Sequence, residues 1–412
     1  MNVTTRIPCG NGRILRADAG AIEVELIAYS KGARYGCFRI SGITESRDQL
    51  VILRPARHFG LQTFPYKRYS RLSVRYGGEG EAWETVPEEA LERTPEALRA
   101  VIPLRAGVVC DLSTEAPHEY AITTAELTAL AREHREIAEL HSPGASVEGR
   151  PLFVLRVTAR ANRCGPGEET RPVIHIVCGE HATEFAGEEI GRGMLSLALD
   201  DTAEARTLRD TFVFDFILNA NPDGNFHGWH QYNANDWRAH NYSDGKDRSW
   251  HHEFVPYLLE EPGVYSPETV ALMSWLRRTR PALYISLHSW EGHDGQAGAF
   301  HAAPETLSPV MQTLVDTMNA HAIAAAEELG KVFAPRPSRQ SERHLGELLM
   351  AKEICPAYLP EGHVNWGQAR LRRFGRSFLT RLLTDEKLAL DQYDPCRWET
   401  VSASTQPLHA LV

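Results

Sequence analysis

The residues best suited to do chemistry lie in a short segment that follows a buried-type apolar run. His181 and Glu184 stand three residues apart, soon after Val173–Cys178. A second apolar run, 282–287, leads directly into His288. Two imidazoles and one carboxylate are a common ligand set for catalytic zinc, with water in the fourth position. If these three side chains meet, the sequence predicts a hydrolase that uses one Zn²⁺ per chain.

The elements that must position these residues are predicted by the pattern of the chain after about residue 120. Apolar runs predict strands at 152–158, 173–178, 211–218 and 282–288. Helices are predicted at 123–134, which has a capping-type start, and from about Glu184 onward. This alternation predicts a mixed, mainly parallel sheet flanked by helices. In such α/β folds, sites form beyond the carboxyl ends of strands, where both histidines fall.

The front of the chain, to about residue 115, has a different pattern. Short runs there alternate apolar and polar residues and are separated by turn-forming residues: 22–28, 36–42, 49–53 and 71–76. They predict a smaller antiparallel β-sandwich with one wet face. We therefore predict two domains, 1–115 and 120–395, as the length of 412 residues favours. The front part carries no cluster of histidines or carboxylates, so we interpret it as a packing or substrate-framing domain.

Charge and cysteine content narrow the classes of partner and compartment. The formal net charge is −10, which argues against nucleic acid as the main partner. No run approaches the ~20 apolar residues of a membrane span, and the first residues lack the apolar core of a signal peptide. Seven scattered cysteines without a C-x-x-C pair favour a reducing compartment. We predict a cytoplasmic protein that binds neither nucleic acid nor membranes.

Several landmarks together resemble the M14 zinc carboxypeptidase family, in particular its cytosolic branch. They are His181-Ala-Thr-Glu184, Asn221-Pro-Asp-Gly224 and His288-Ser289, with 147–152 resembling the family's Glu-Gly-Arg turn. The resemblance covers roughly 120–390 and implies zinc bound by His181, Glu184 and His288. A turn explains Asn221–Gly224 well, so we expect a structural role for that segment.

The resemblance also implies a catalytic glutamate at the end of a late strand. Glu361 fits this position, since it follows an apolar run and lies 73 residues after His288 (361 − 288). A carboxylate beside the zinc water can take its proton and later deliver it to the leaving amine. Other arrangements stay open: a solvated Glu361 is one, and a metal site that includes His293 or His363 is another.

The segment that binds the substrate's terminal carboxylate in the family departs from the family pattern. The family places an Arg soon after Asn-Pro-Asp-Gly and then an Asn-Arg pair; here His227 falls at the first position. The Asn-Arg pair is replaced by Ala239-His240 or, with a small shift, by Trp237-Arg238. Arg238 could clamp a carboxylate through two parallel hydrogen bonds. We therefore predict His227, Arg238, His240 and Asn241 as substrate-binding residues.

Three functions remain compatible with this sequence. The first is a zinc metallocarboxypeptidase that removes a C-terminal residue from a peptide or peptide-like substrate. The second is a zinc amidase or deacylase of a small or carrier-linked metabolite, which the altered Arg positions favour. The third is a non-catalytic binding module on the same scaffold. The sequence leaves the substrate and the oligomeric state open.

Overall fold

The computed structural model describes residues 1–26, 35–54, 71–159, 170–230, 232–234, 254–260, 263–290, 295–337, 344–388, 390 and 394–401. Its strands are β1 Asn2–Thr4, β2 Arg13–Ala17, β3 Ile22–Glu25, β4 Cys37–Ser41, β5 Arg47–Arg54, β6 Ser73–Tyr76, β7 Glu84–Thr85, β8 Leu91–Thr94, β9 Ala97–Leu104, β10 Cys110–Ser113, β11 Ala138–Ala145, β12 Pro151–Val157, β13 Val173–Cys178, β14 Val213–Ile217, β15 Leu283–Trp290, β16 Ala297–His301, β17 Phe333–Pro337 and β18 Ala357–His363.

The α-helices are α1 Tyr120–Glu133, α2 Phe185–Leu199, α3 Ala203–Thr211, α4 Pro222–His227, α5 Phe254–Leu258, α6 Pro267–Thr279, α7 Pro309–Glu327, α8 Leu345–Ala351 and α9 Gln368–Leu383. Short 3₁₀ helices occupy Glu88–Ala90, Pro304–Thr306, Val364–Trp366, Glu386–Leu388 and Pro395–Val401. Among the helices of the described ranges, none combines the length and apolarity that crossing a membrane demands.

The front of the chain forms two five-stranded sheets that share one apolar core. Their strand orders are β1-β4-β10-β6-β7 and β2-β3-β5-β9-β8. Buried side chains from both sheets pack together, with Val24, Phe38, Val51 and Leu112 among them. The predicted β-sandwich is therefore confirmed. One pairing differs from the predicted antiparallel arrangement, because β3 and β5 run parallel.

The larger part is an eight-stranded sheet in the order β11-β12-β14-β13-β15-β18-β16-β17. The central strands β14, β13, β15 and β18 run parallel to one another, and the flanking pairs β11/β12, β12/β14 and β16/β18 are antiparallel. The predicted mixed, mainly parallel sheet is confirmed. The carboxyl ends of β13, β15 and β18 meet at one edge, so residues that follow these strands are brought together.

Helices cover both faces of this sheet. On one face α2 approaches β15 closely, since a Cβ added at Gly187 would lie 2.6 Å from the Leu287 carbonyl oxygen. On the other face Trp275 of α6 donates its Nε1–H to Asp215 of β14, at 3.0 Å. Asp215 pairs in register with His175, and Leu287 is the neighbour of His288 on β15. Because side chains alternate between faces, His288 lies on the α6 face of the sheet.

The first helix begins earlier than the sequence predicts. The sequence favours a capped start at Thr123, but α1 begins at Tyr120. The Thr123 hydroxyl donates instead to the buried carboxylate of Glu188 at 3.2 Å, and Arg192 donates to the same hydroxyl at 3.1 Å. A long-range hydrogen-bond network therefore uses the side chain that local pattern assigns to a cap. The division into domains 1–115 and 120–395 stays a prediction.

The segment between β1 and β2 contacts the end of α4 and the glycine that follows it. The Cys9 amide donates to the Phe226 carbonyl oxygen at 2.8 Å, and the Asn11 side-chain amide donates to the Gly228 carbonyl oxygen at 2.6 Å. Gly228 ends α4 in the left-handed region at φ 66°, and a Cβ there would lie 2.6 Å from the Cys9 carbonyl oxygen. Only glycine permits this close approach.

Candidate metal centre

The loop after β13 turns sharply to present its polar residues at the sheet edge. Gly179 adopts φ 73°, a conformation that favours glycine and ends the strand. His181 follows, and Glu184 is the last residue before α2 begins at Phe185. The sequence therefore delivers an imidazole from the loop and a carboxylate from the helix start, close to the carboxyl end of β15.

Three of the predicted residues come together here. His181 Nδ1 lies 2.8 Å from Glu184 Oε1, and His288 Nδ1 lies 2.8 Å from Glu184 Oε2. The two imidazole rings are 4.9 Å apart, nearly edge to face. One ligand atom from each residue lies within 4.8 Å of the others. Within the described ranges this is the single cluster of His, Cys, Asp or Glu that meets this criterion for holding a metal ion.

The donor set fits zinc. Zinc bonds of about 2.0–2.2 Å in a tetrahedral arrangement place ligand atoms about 3.4 Å apart. The ligand atoms of these three residues, which lie within 4.8 Å of one another, can reach such separations. In the metal-free protein a carboxylate can only accept, so each facing Nδ1 carries a proton. Burial alone raises the pKa of Glu184, but the adjacent His181 and His288 hold it well below its usual range. Metal binding would replace those two protons.

The serine that follows His288 joins the two halves of the cluster. Ser289 donates its backbone N–H to Glu184 Oε2 at 3.0 Å. Its hydroxyl oxygen accepts from the Ala186 and Gly187 amides, at 3.0 and 3.3 Å. These amides belong to the first turn of α2, where the N–H groups have no partner within the helix. A hydroxyl from β15 thus caps the helix that carries Glu184 and fixes it against His288.

A second carboxylate, Glu180, holds the other side of the His288 ring. Its Oε2 lies 3.3 Å from His288 Nε2 and accepts a short hydrogen bond from Ser286. Its Oε1 accepts from the Tyr284 hydroxyl at 3.1 Å. Glu180 is 5% exposed, and although burial opposes its charge, the bonds from His288 and Ser286 lower its pKa. Such carboxylate partners orient metal-binding imidazoles and fix their tautomer.

Glu361 lies beside His288 on the neighbouring strand. In the parallel pair β15/β18, Glu361 is the register partner of His288, so both side chains point to the same face at the sheet's carboxyl edge. Neighbouring strands are about 4.8 Å apart. On its other side Glu361 pairs with Gly298 of β16, which has no side chain to crowd the carboxylate. Glu361 is partly exposed, as a group that meets water must be.

His230 is a third imidazole at this cluster that the sequence did not single out. Its ring is 5.0 Å from that of His181, and its Nε2 lies 3.4 Å from Glu184 Oε1. The Ala182 amide donates to the His230 carbonyl oxygen at 2.8 Å, and Thr183 Oγ1 lies 2.8 Å from its Nδ1. Burial lowers the pKa of His230 to about 3, against the opposing effect of Glu184. The ring is therefore neutral at physiological pH.

The Asn-Pro-Asp-Gly segment has structural contacts, as expected for a turn. Asn221 accepts from the Gly224 amide at 2.9 Å and caps α4. Asp223 is fully buried and accepts from Ser146 Oγ and Arg150 Nη1, both at 2.6 Å, and from the Glu148 amide at 3.0 Å. The segment thus binds the Glu-Gly-Arg turn that precedes β12. The two motifs noted separately in the sequence form one unit.

The other predicted substrate residues lie elsewhere or outside the described residues. His227 contacts Glu148 at 2.8 Å and stacks on Trp229, at a ring separation of 4.1 Å, and these partners are distinct from the three ligand residues. Its role in substrate binding stays a prediction. Arg238, His240 and Asn241 lie outside the described residues.

Of the alternative metal ligands, His293 likewise lies outside the described residues. His363 accepts from the Asn365 amide through Nδ1 at 3.1 Å and is absent from the described metal-type cluster. Asn219 is buried, with only 8% of its surface exposed. Neither atom of its side-chain amide has a hydrogen-bond partner among the described residues. It lies in the loop after β14, so it is a polar group available at the carboxyl edge of the sheet.

Glu180 and His230 are the functional candidates that sequence reasoning missed. Glu180 directly precedes His181, and acidic residues beside a His-x-x-Glu pair have no pattern of their own. His230 lies six residues after Gly224, in a segment where the family pattern directed attention to His227. The one available signal was an excess of histidine, 18 in the chain, near the ligand motifs.

Comparisons with known proteins agree with this geometry. Residues 123–293 match the Peptidase_M14 family, described as zinc carboxypeptidase. Carboxypeptidase SOL1 of Arabidopsis thaliana is 28% identical over 182 residues, which are 41% of this chain and 34% of that protein. Cytosolic carboxypeptidase 2 of Xenopus tropicalis is 29% identical over 79 residues, 19% of this chain and 8% of that protein. The chain thus spans about a third or less of these relatives' length.

The fold comparison extends the likeness to the front sheets. A metallo-carboxypeptidase from Burkholderia cenocepacia superposes with a TM-score of 0.72 and 16% identity, covering 93% of this chain and 97% of that chain. Coverage of this extent takes in most of the β-sandwich as well as the eight-stranded sheet. The matched family segment holds all three residues of the metal-type cluster. Residues 123–293, which hold this cluster, are therefore similar to the zinc carboxypeptidases of the M14 family.

Proposed function

We propose that the protein is a zinc-dependent metallocarboxypeptidase that hydrolyses the C-terminal amide bond of a peptide or peptide-like substrate. The observation that carries this proposal is the convergence of His181, Glu184 and His288, with Glu361 in register beside His288. The family supplies the expectation of zinc, and the relatives are named as carboxypeptidases. We assign one Zn²⁺ per chain to the three ligands.

The protein's own residues divide the work as follows. Zinc, when bound, lowers the pKa of water and polarises a carbonyl group. Glu361 takes a proton from the attacking water and later delivers it to the leaving amine, from its place next to His288. Ser289 and Glu180 keep Glu184 and His288 in position, so the cluster need not reorganise during the reaction.

The experiment that tests this function separates metal binding from proton transfer. We expect Glu361→Gln to retain about one zinc per chain and to lose about 10²–10⁴-fold in kcat, since the amide cannot accept the proton. Substrates are N-blocked dipeptides that differ in the C-terminal residue. Glu328→Gln is the matched control, because it removes a carboxylate that pairs with Arg381 on the surface and should leave turnover unchanged. Undiminished hydrolysis by zinc-loaded Glu361→Gln contradicts the proposal.

A zinc amidase or deacylase of a small or carrier-linked metabolite is the second candidate. It is favoured because the His227 ring contacts Glu148 and Trp229, and the imidazole beside the ligands is the neutral ring of His230. A neutral ring cannot offer the fixed charge that holds a substrate carboxylate. Matched free-acid and amidated substrates decide between the two: a strong preference for the free acid supports the carboxypeptidase. Absence of turnover of either series by the zinc-loaded protein supports the binding module.

The remaining assignments follow from the same reasoning. We place the protein in the cytoplasm, with a peptide or small amide as its partner and without nucleic acid or membrane partners. The six cysteines of the described ranges are free thiols, and five of them are buried, in keeping with a reducing compartment. Secretion of the native protein with oxidised cysteines contradicts this placement.

A further inference from the structure

His230 is held at the ligand cluster by contacts to the loop that carries the ligands. Its carbonyl oxygen accepts from the Ala182 amide, and its Nδ1 faces the Thr183 hydroxyl, at 2.8 Å in both cases. Ala182 and Thr183 are the two residues between His181 and Glu184. The His-x-x-Glu loop therefore fixes the position of the third imidazole as well as the two ligands it supplies.

The contacts on the two ring nitrogens favour a proton on Nε2. Glu184 Oε1, 3.4 Å from Nε2, is a carboxylate oxygen and can only accept. The Thr183 hydroxyl can donate to Nδ1, which supports the same placement of the proton. The resulting arrangement has Thr183 donating to Nδ1 and an N–H on Nε2. That N–H points toward the ligand cluster.

His230 borders the cluster without being part of it. Its nitrogens are not among the ligand atoms that lie within 4.8 Å of one another. The scissile carbonyl must lie against the same cluster, because the attacking water is activated there. An N–H donor at this border suits a carbonyl oxygen that gains negative charge during the attack.

We propose that the Nε2–H of His230 donates a hydrogen bond to the substrate's carbonyl oxygen as it becomes negatively charged. This role rests on the proposed hydrolytic function and assigns His230 as a catalytic residue. It acts as an electrostatic donor that is already oriented before the substrate arrives. Thr183 is the positioning residue, because its hydroxyl keeps the proton on the nitrogen that faces the substrate.

The segment between β1 and β2 holds the stretch of chain that leads to His230. Asn11 donates to the carbonyl oxygen of Gly228, two residues before His230, and Cys9 donates to that of Phe226. Gly228 itself has a left-handed conformation at the end of α4. The front part therefore contributes to the position of a catalytic group without supplying a side chain to the site.

Two measurements test this inference. The first is turnover and zinc affinity of His230→Ala and His230→Gln, with His321→Ala as control, since that imidazole pairs with Asp385. We expect His230→Ala to lower kcat about 10²-fold or more at full zinc loading, with unchanged zinc affinity. His230→Gln, which keeps an N–H donor, should recover part of the loss. Substrates are N-blocked dipeptides that differ in the C-terminal residue.

The second measurement is the ring tautomer, read from long-range ¹⁵N–¹H correlations of histidine-labelled, zinc-loaded protein. The His230 signals are assigned by their loss in His230→Gln. We expect a proton on Nε2 in the wild type and a mixture of tautomers in Thr183→Val. A proton on Nδ1 overturns the inference. So does a His230→Ala enzyme that binds zinc more weakly but turns over normally when saturated, since His230 would then act on the ligands.

These outcomes are separable from failure of the proposed function. All His230 variants are compared with a wild-type enzyme whose hydrolysis has been established and whose dependence on Glu361 has been measured. An inactive wild type refutes the proposed function, whereas an active wild type with active His230→Ala refutes the role of His230 alone.

Discussion

Replacement of Glu180 by glutamine is the sharpest test of the proposed zinc site. The substitution keeps the volume of a side chain that is 5% exposed and removes its charge. In the wild type, Glu180 accepts from Tyr284 and Ser286 and lies 3.3 Å from His288 Nε2. When His288 binds the metal through Nδ1, its Nε2 must carry the proton. The hydrogen bond from this N–H to the charged carboxylate of Glu180 is stronger than a hydrogen bond to the neutral amide oxygen of glutamine.

The expected magnitude follows from the contacts that are lost. Hydrogen bonds to a charged partner contribute about 1.5–3 kcal/mol, roughly twice a neutral bond. The amide introduced by Glu180→Gln would keep one acceptor oxygen. Its NH₂ group would face either a hydroxyl, which can accept a hydrogen bond, or the N–H of His288, which cannot accept one. We therefore expect a loss of about 1.4–2.7 kcal/mol, which is about 10- to 100-fold in zinc affinity.

The assay is competition for zinc between the protein and a chromogenic chelator, with thermal unfolding measured alongside. Glu189→Gln is the matched control: this carboxylate is also buried and hydrogen-bonded, but its partners are His118 and Arg372. It should lower stability and leave zinc affinity unchanged. Equal zinc affinity of Glu180→Gln and wild type would refute the reasoning, because the carboxylate would then serve packing alone.

Two further predictions concern the sheet and the helix that carry the cluster. Burial lowers the pKa of His175 to about 4 from 6.5, so the neutral ring stabilises the fold above about pH 6.5 and this contribution is lost as pH falls toward 4. The difference between these two pKa values corresponds to about 3 kcal/mol of unfolding free energy. His175→Phe keeps a ring against Tyr284, and the free energy of its unfolding should depend correspondingly less on pH. A pH dependence equal to that of the wild type contradicts this prediction. Ser289→Ala removes the acceptor for two amides of α2. It should lower the free energy of unfolding, measured in urea, by about 1–2 kcal/mol. Ser142→Ala, at a surface serine, is the control, and a smaller loss in Ser289→Ala than in this control would contradict the capping role.

The parts of the fold that sequence predicted are those determined locally. Val173–Cys178 is an unbroken apolar run because β13 is buried on both faces between β14 and β15, and the predicted and observed bounds coincide. His181 and Glu184 follow at once, so their place at the sheet edge was predictable from spacing. The start of α1 was not, because Thr123 bonds to Glu188, a residue 65 positions away.

The parts of the site that sequence did not predict depend on register between distant segments. Glu180 meets Tyr284 and Ser286 only because Cys178 pairs with Leu287 when β13 and β15 align. A shift of one residue would turn Ser286 and His288 to the opposite face. No local pattern in either segment carries that register. The partnership of Glu180 with His288, which are 108 residues apart (288 − 180), is therefore a property of the sheet.

His230 depends on a different part of the molecule. Its segment is fixed by Cys9 and Asn11, which lie between β1 and β2, and by Ala182 from the ligand loop, so two distant stretches of chain determine one ring position. The ligands, in contrast, are held within the eight-stranded sheet and α2 through Glu180 and Ser289. In the proposed site, the eight-stranded sheet and α2 thus position the metal ligands, and contacts with the segment between β1 and β2 position His230. If His230 acts as proposed, Asn11→Ala, which removes the donor to Gly228, should lower turnover and leave zinc affinity unchanged.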